Sequence, residues 1–187
     1  MLTAVAILLL LLAVAVLAPA WRRRLPGARE RRHNRYRKAA HRVLVRLPQL
    51  DTDGARLNYL RQINPYVFEE LLLLALARQG LRVVRNPSYS GDGGLDGQVF
   101  IAGRRWLIQA KRYSRSISPQ HIRDFGDLVT REGCGGFFIH TGRTGRQSYA
   151  SLRVCPAVRL VSGQRLLALL SGQHDVIRLL INGGSDE

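Results

Sequence analysis

Residues 95–112 read Leu95-Asp96-Gly97-Gln98-Val99-Phe100-Ile101-Ala102-Gly103-Arg104-Arg105-Trp106-Leu107-Ile108-Gln109-Ala110-Lys111-Arg112, and the reading of the fold starts from them. Two runs rich in β-branched and aromatic residues flank Ala102-Gly103. That pattern predicts strands over about 95–101 and 104–112 joined as a hairpin. If the turn holds Ala102 and Gly103 alone, residues whose numbers sum to 205 face each other, so Asp96 lies opposite Gln109 and diagonal to Lys111. Gln109 and Lys111, two apart, share one face of the strand, while Ile108 and Ala110 share the other. A three-residue turn would shift the register by one and send Asp96 to the wrong face.

Working outward, Asn64 followed by Pro65 predicts a capped helix over Tyr66 to Gln79, closed by Gly80. Leu81 to Arg85 reads as a short strand, and Asn86 to Gly94 as turn chemistry. Beyond the hairpin, Ser118-Pro119 starts a helix that ends near Gly133. Gly136 to His140 reads as a buried strand, Gly145 to Arg153 as a helix and Ala157 to Val161 as a last strand. Gln164 to Leu170 and Val176 to Ile181 read as short helices. The order predicts an α/β fold, a mixed sheet flanked by helices.

The hairpin converges a carboxylate, an amide oxygen and an ammonium group. Asp96 and the Gln109 side-chain oxygen, with a neighbouring backbone carbonyl, are hard ligands suited to Mg²⁺, with Mn²⁺ as the alternative ion. Such an ion polarises a phosphoryl group and lowers the pKa of its water, and Lys111 can orient that water or offset the charge that develops. Glu69 or Glu70 on the Pro65 helix is the further acid expected, approaching from behind the sheet. Of 29 basic residues only Lys38 and Lys111 are lysine, so a compact ammonium beside Gln109 reads as a choice against the bulkier guanidinium. The segment Thr141-Gly142-Arg143-Thr144-Gly145-Arg146 lacks the Lys-Ser/Thr ending of a nucleotide-binding P-loop. It reads instead as a loop near DNA phosphate, with Arg112, Arg115, Arg143 and Arg146 as the expected contacts.

The N-terminus has a different character. Leu2 to Ala20 carries no charged side chain, and 19 helical residues at about 1.5 Å each nearly span a bilayer core. Residues 1–21 are therefore expected to be a transmembrane anchor, with a signal peptide cleaved at Ala18-Pro19-Ala20 as the rival reading. Trp21-Arg22-Arg23-Arg24 places the following flank on the cytoplasmic side, with membrane lipid met through residues 2–24. From Arg22 to Arg46 there are ten Arg and one Lys against Glu30 alone. This reads as a basic juxtamembrane collar, with a linker to residue 56. The whole chain, 187 residues with net charge +16, favours phosphate-rich partners over acidic proteins. Cys134 and Cys155 form no disulfide framework or zinc motif and read as buried small hydrophobes.

The ordered pieces Phe68-Glu69-Glu70-Leu71, Gly91-Asp92-Gly93-Gly94-Leu95-Asp96-Gly97, Gln109-Ala110-Lys111-Arg112-Tyr113 and His140-Thr141-Gly142-Arg143 resemble the Mrr-type restriction endonuclease domain, a branch of the PD-(D/E)xK nuclease superfamily. The resemblance implies a restriction-endonuclease-like αβββαβ core over residues 57–171, followed by a C-terminal helix and tail over 172–187. It makes Asp96 the metal-binding aspartate, Gln109 and Lys111 the Q-x-K pair, and Glu69 the helix glutamate. Gln109 stands where the wider superfamily has an acid, which removes a negative charge from the metal site. The implied activity is Mg²⁺-dependent cleavage of double-stranded DNA in type IV restriction, here on a single-pass anchor in the bacterial inner membrane, with a homodimer to cut both strands. The competing expectation is a catalytically inactive DNA-binding module that tethers DNA to the membrane.

Overall fold

The hairpin forms with the expected turn. In the computed structural model, which describes residues 27–86 and 95–182 together with Ile7, strand β2 (Gly97–Ile101) pairs antiparallel with β3 (Arg104–Lys111). Gly97 faces Ile108 and Ile101 faces Arg104, so every pair sums to 205. Ala102 and Gly103 hold φ of 49° and 76°. Two successive positive values are what a type I′ turn requires, and they match the right-handed twist of the strands.

The sheet continues on both sides. β1 (Arg82–Arg85) lies antiparallel outside β2, and β4 (Gly135–His140) and β5 (Val158–Val161) follow parallel beyond β3, giving the order β1-β2-β3-β4-β5. β3 is thus the strand where antiparallel pairing gives way to parallel. Trp106, Ile108 and Ala110 face one core, with Val99, Phe137, Ile139 and Val161. Leu107 faces the other, with Phe138 and Val158.

The chain divides into two compact units, residues 1–35 and 36–187. Within the second, the face carrying Ile108 is covered by helices α2 (Asp53–Gln62), α3 (Pro65–Arg78), α6 (Gly163–Ser171) and α7 (His174–Asn182). The opposite face is covered by α4 (Pro119–Arg131) and α5 (Arg146–Arg153). The expected caps are in place: Asn64 Oδ1 accepts from Tyr66 N at 2.9 Å and Ser118 Oγ from Gln120 N at 3.3 Å.

The structure departs from the sequence reading before residue 57. Residues Ala28–Arg46, read as a collar, form a helix, α1. Ala40, Val43, Leu44 and, just beyond it, Leu47 are buried in the main core. Their spacing is that of an apolar helical stripe, which the density of arginine between them obscures. The expected linker closes as a single 3-10 turn, Leu47–Gln49. α2 then begins at an N-cap whose Thr52 Oγ1 accepts from Ala55 N at 3.1 Å. The apolar segment 2–20 lies outside the described residues apart from Ile7. Among the described residues no helix is long and apolar enough to cross a membrane. The two cysteines are half-buried free thiols rather than core residues.

Candidate active site

The residues expected at the site lie where β2 begins and β3 ends. The regular pairs end at Gly97–Ile108, and Asp96 N donates to Ile108 O at 2.9 Å, so Asp96 sits beside Ile108 at the end of the ladder, and the expected 96–109 pair is not among the ladder pairs. Past that point β2 has no residue facing Ala110 in the ladder. The Asp96 carboxylate takes over: its Oδ2 accepts from Ala110 N at 2.6 Å. A charged acceptor at that length is a strong hydrogen bond, and it fixes the carboxylate against the strand that carries Gln109 and Lys111. On the other side, Asn86 Nδ2 donates to Leu95 O at 2.6 Å, tying the exit of β1 to the residue before Asp96.

Gln109 is buried, 4% exposed, and Lys111 is half-buried. The alternation of β3 puts both on the face of Leu107, the side covered by α4 and α5. Lys111 pairs across the parallel ladder with His140. His140 is fully buried, with its Nε2 3.3 Å from Thr144 Oγ1. Burial pulls its pKa from 6.5 down to about 4, against an opposing hydrogen bond to the Gly142 backbone. The imidazole beside Lys111 is therefore neutral near pH 7, adding no positive charge to that of the ammonium.

The two helix acids separate. Glu70 is buried and accepts from Arg85 Nε at 3.0 Å, with Arg37 Nε at 3.8 Å. Its charge is engaged by β1 and α1. Glu69 is half-buried on the same helix, and α3 covers the face opposite Gln109 and Lys111, so an approach to the site would come from behind the sheet.

The arginines expected at DNA gather on the loops leaving β3 and β4. Arg112, Arg115, Arg143 and Arg146 are all exposed. Arg143 N donates to Arg115 O at 3.1 Å, and Ile117 N to Arg143 O at 3.0 Å, so the two loops run side by side. Gly142 makes this possible: a Cβ there would lie 2.3 Å from Arg115 O and 2.7 Å from Tyr113 Cβ. Thr141, which the sequence reading did not single out, secures the same end. Its Oγ1 accepts from Tyr113 N at 3.0 Å and donates to Tyr113 O at 2.8 Å, and its carbonyl accepts from Arg61 Nε at 2.9 Å. Arg112 Nη1 in turn donates to Arg61 O.

A family model described as a restriction endonuclease, Mrr_cat, matches residues 60–170, more than half of the chain and all of the site. The chain belongs to this restriction endonuclease family. Its α/β core with a mixed five-stranded sheet is a restriction-endonuclease-like nuclease domain. Among solved structures, MspJI restriction endonuclease in complex with a 27-mer oligonucleotide is similar at 23% identity and TM-score 0.46, covering 72% of this chain and 33% of that one. Restriction endonuclease FokI is similar at 11% identity and TM-score 0.46, covering 66% and 27%. The family member described here thus spans about a third of the MspJI chain. Among curated proteins none matches its sequence.

The family implies a divalent metal. The donors that the hairpin supplies are a carboxylate held in place by Ala110 N, the amide side chain of the neighbouring Gln109, and nearby backbone carbonyls. All are hard oxygen ligands, and they fit Mg²⁺ or Mn²⁺ rather than a soft metal. Among the described residues no three His, Cys, Asp or Glu side chains cluster as a metal set.

Proposed function

We propose that the protein is a membrane-anchored, divalent-metal-dependent DNA endonuclease of the type IV, Mrr-like kind. The observation that carries this reading is the Asp96 carboxylate, clamped on Ala110 N between Gln109 and Lys111, two residues that share one face of β3. Asp96 and Gln109 would hold the ion, whose chemistry is Lewis-acid polarisation of the scissile phosphoryl group. Lys111 stabilises the negative charge that builds on that group's oxygens, and the neutral His140 beside it leaves the ammonium as the local cation. Arg112, Arg115, Arg143 and Arg146 seat the DNA backbone at the same end of the sheet. Glu69 is the helix acid of this site, because Glu70 is committed to Arg85 and Arg37. The anchor reading rests on residues 2–20 and places the nuclease domain at the cytoplasmic face of the inner membrane. Cleavage of both strands calls for two copies of the chain.

The full chain, purified in mild detergent, is expected to nick supercoiled plasmid in Mg²⁺ and to lose that activity on Lys111→Ala. Undiminished cutting by the variant would refute the assignment. The neutral Gln109 and the sparse carboxylates favour one other reading, a module that binds DNA at the membrane without cutting it. That protein would show salt-sensitive DNA binding and no cleavage with any divalent ion.

A further inference from the structure

The sequence leaves the basic stretch before residue 47 open between lipid headgroups and a non-specific DNA tether. The structure narrows this to one surface: we infer that the exposed face of α1 is a second DNA-backbone contact, extending the duplex footprint away from the candidate active site. The inference rests on the proposal that DNA is the substrate, though not on cleavage.

α1 is two-sided from Tyr36 onward. Ala40, Val43 and Leu44 face the core at 0%, 5% and 8% exposure. The other side presents Lys38, Arg42 and Arg46, all exposed and spaced four residues apart, so they lie in one row. Residues 36–46 contain four Lys or Arg and no acid. Arg37 turns to Glu70, but Lys38 and Arg42 have no carboxylate partner among the described residues, and Arg46 bonds only the neutral Gln49 at 2.9 Å. A merely solvated helix face mixes signs; three unneutralised cations in a row suit a polyanion.

The row also has the right place and pitch. Tyr36 packs against Tyr66 in the first turn of α3, the rings tilted by 33° with centroids 5.4 Å apart. That end of α3 follows α2, whose Arg61 binds the Thr141 carbonyl at the exit of β4. From Tyr36 onward α1 therefore begins beside the candidate-site end of the fold and leads, through the turn Leu47–Gln49, into the start of α2, the end of that helix opposite Arg61. At about 1.5 Å per residue, Lys38 to Arg46 cover about 12 Å, the length of three to four phosphates at about 3.4 Å per strand. A helix lying in a bilayer interface buries an apolar face, but the apolar face of α1 is already taken by the protein core. DNA accounts better for the cations that remain.

The test is the salt dependence of duplex binding by the full chain in EDTA, where cleavage is not measured. Replacing Lys38, Arg42 and Arg46 together with Gln should lower the log K against log salt slope by about 2.7, at about 0.9 per phosphate contact. The same charge removed from Arg78, Arg131 and Arg153, exposed at the ends of α3, α4 and α5 that point away from the site, should change the slope by much less. Far-UV circular dichroism confirms that both variants fold. An unchanged slope in the α1 variant overturns the inference, as does an equal loss in the control. Loss instead of retention on vesicles of mixed phosphatidylcholine and phosphatidylglycerol, with DNA binding intact, would give the row to lipid. A cleavage-negative Lys111→Ala protein with the full slope leaves this inference standing while removing nothing from it, so the two proposals fail separately.

Discussion

In the proposed reading Asp96 has two separable jobs, and its amide variant distinguishes them. Its Oδ2 accepts from Ala110 N at 2.6 Å, closing the β2–β3 ladder, and its charge is what a divalent ion would require. Asp96→Ala removes both. A charge-assisted hydrogen bond of this kind contributes about 1.5–3 kcal/mol, and the half-exposed position of Asp96 argues for the lower end. With about 2–4 °C per kcal/mol in a chain of this size, the Ala variant should melt about 5 °C lower. Asp96→Asn keeps an acceptor oxygen for Ala110 N, so it should melt within about 2 °C of the parent. Its cleavage in Mg²⁺ should nevertheless fall at least as far as when a single electrostatic stabiliser is removed elsewhere, about 10²–10³-fold. Thermal melts followed by circular dichroism, paired with plasmid nicking rates on the same preparations, decide the matter. Equal destabilisation by Asn and Ala, or an Asn protein that still cuts at the parental rate, would falsify the division of labour.

Two further expectations follow from local geometry. Ala102 holds a φ of 49°, which costs an L residue with a plain side chain more than it costs Asn, so Ala102→Asn should stabilise the hairpin by about 0.5–1 kcal/mol and raise the melting midpoint; a lowered midpoint would contradict the turn assignment. His140, held neutral with a pKa near 4 against 6.5, makes folding sensitive to acid: the unfolded chain takes up its proton first as pH falls. The stability this residue contributes is complete above about pH 6.5 and should decline by about 3 kcal/mol towards pH 4. Urea titrations across that range should show a shallower acid limb for His140→Phe.

The hairpin and its register were legible because one turn decides them. Ala102-Gly103 sets the sum of 205, the pairing follows, and Gln109 and Lys111 share a face by alternation alone. The capped starts at Asn64-Pro65 and Ser118-Pro119 were equally plain, since each combines a side-chain acceptor with a residue that needs no amide donor. Helix α1 was not, although Ala40, Val43, Leu44 and Leu47 stand at helical spacing: the arginines between them set the average, and only packing reveals that the stripe has a core to meet. The start of α2 hid in the same way, because Thr52 and Asp53 serve a turn and a cap alike. The engagement of Glu70 was hidden as well, because Arg85 lies on another element and reaches Glu70 only through the fold.

The burial of Ala40, Val43, Leu44 and Leu47 bears on how this molecule can be divided. The place where composition suggests an excisable tail ends, near Pro48, lies inside the hydrophobic seam, so a protease or a cloning boundary there would strip one wall from the interior and leave the α3 surface wet. A fragment meant to keep this interior whole has its natural beginning no later than Tyr36, well before the point where the arginine-rich composition gives way to Pro48.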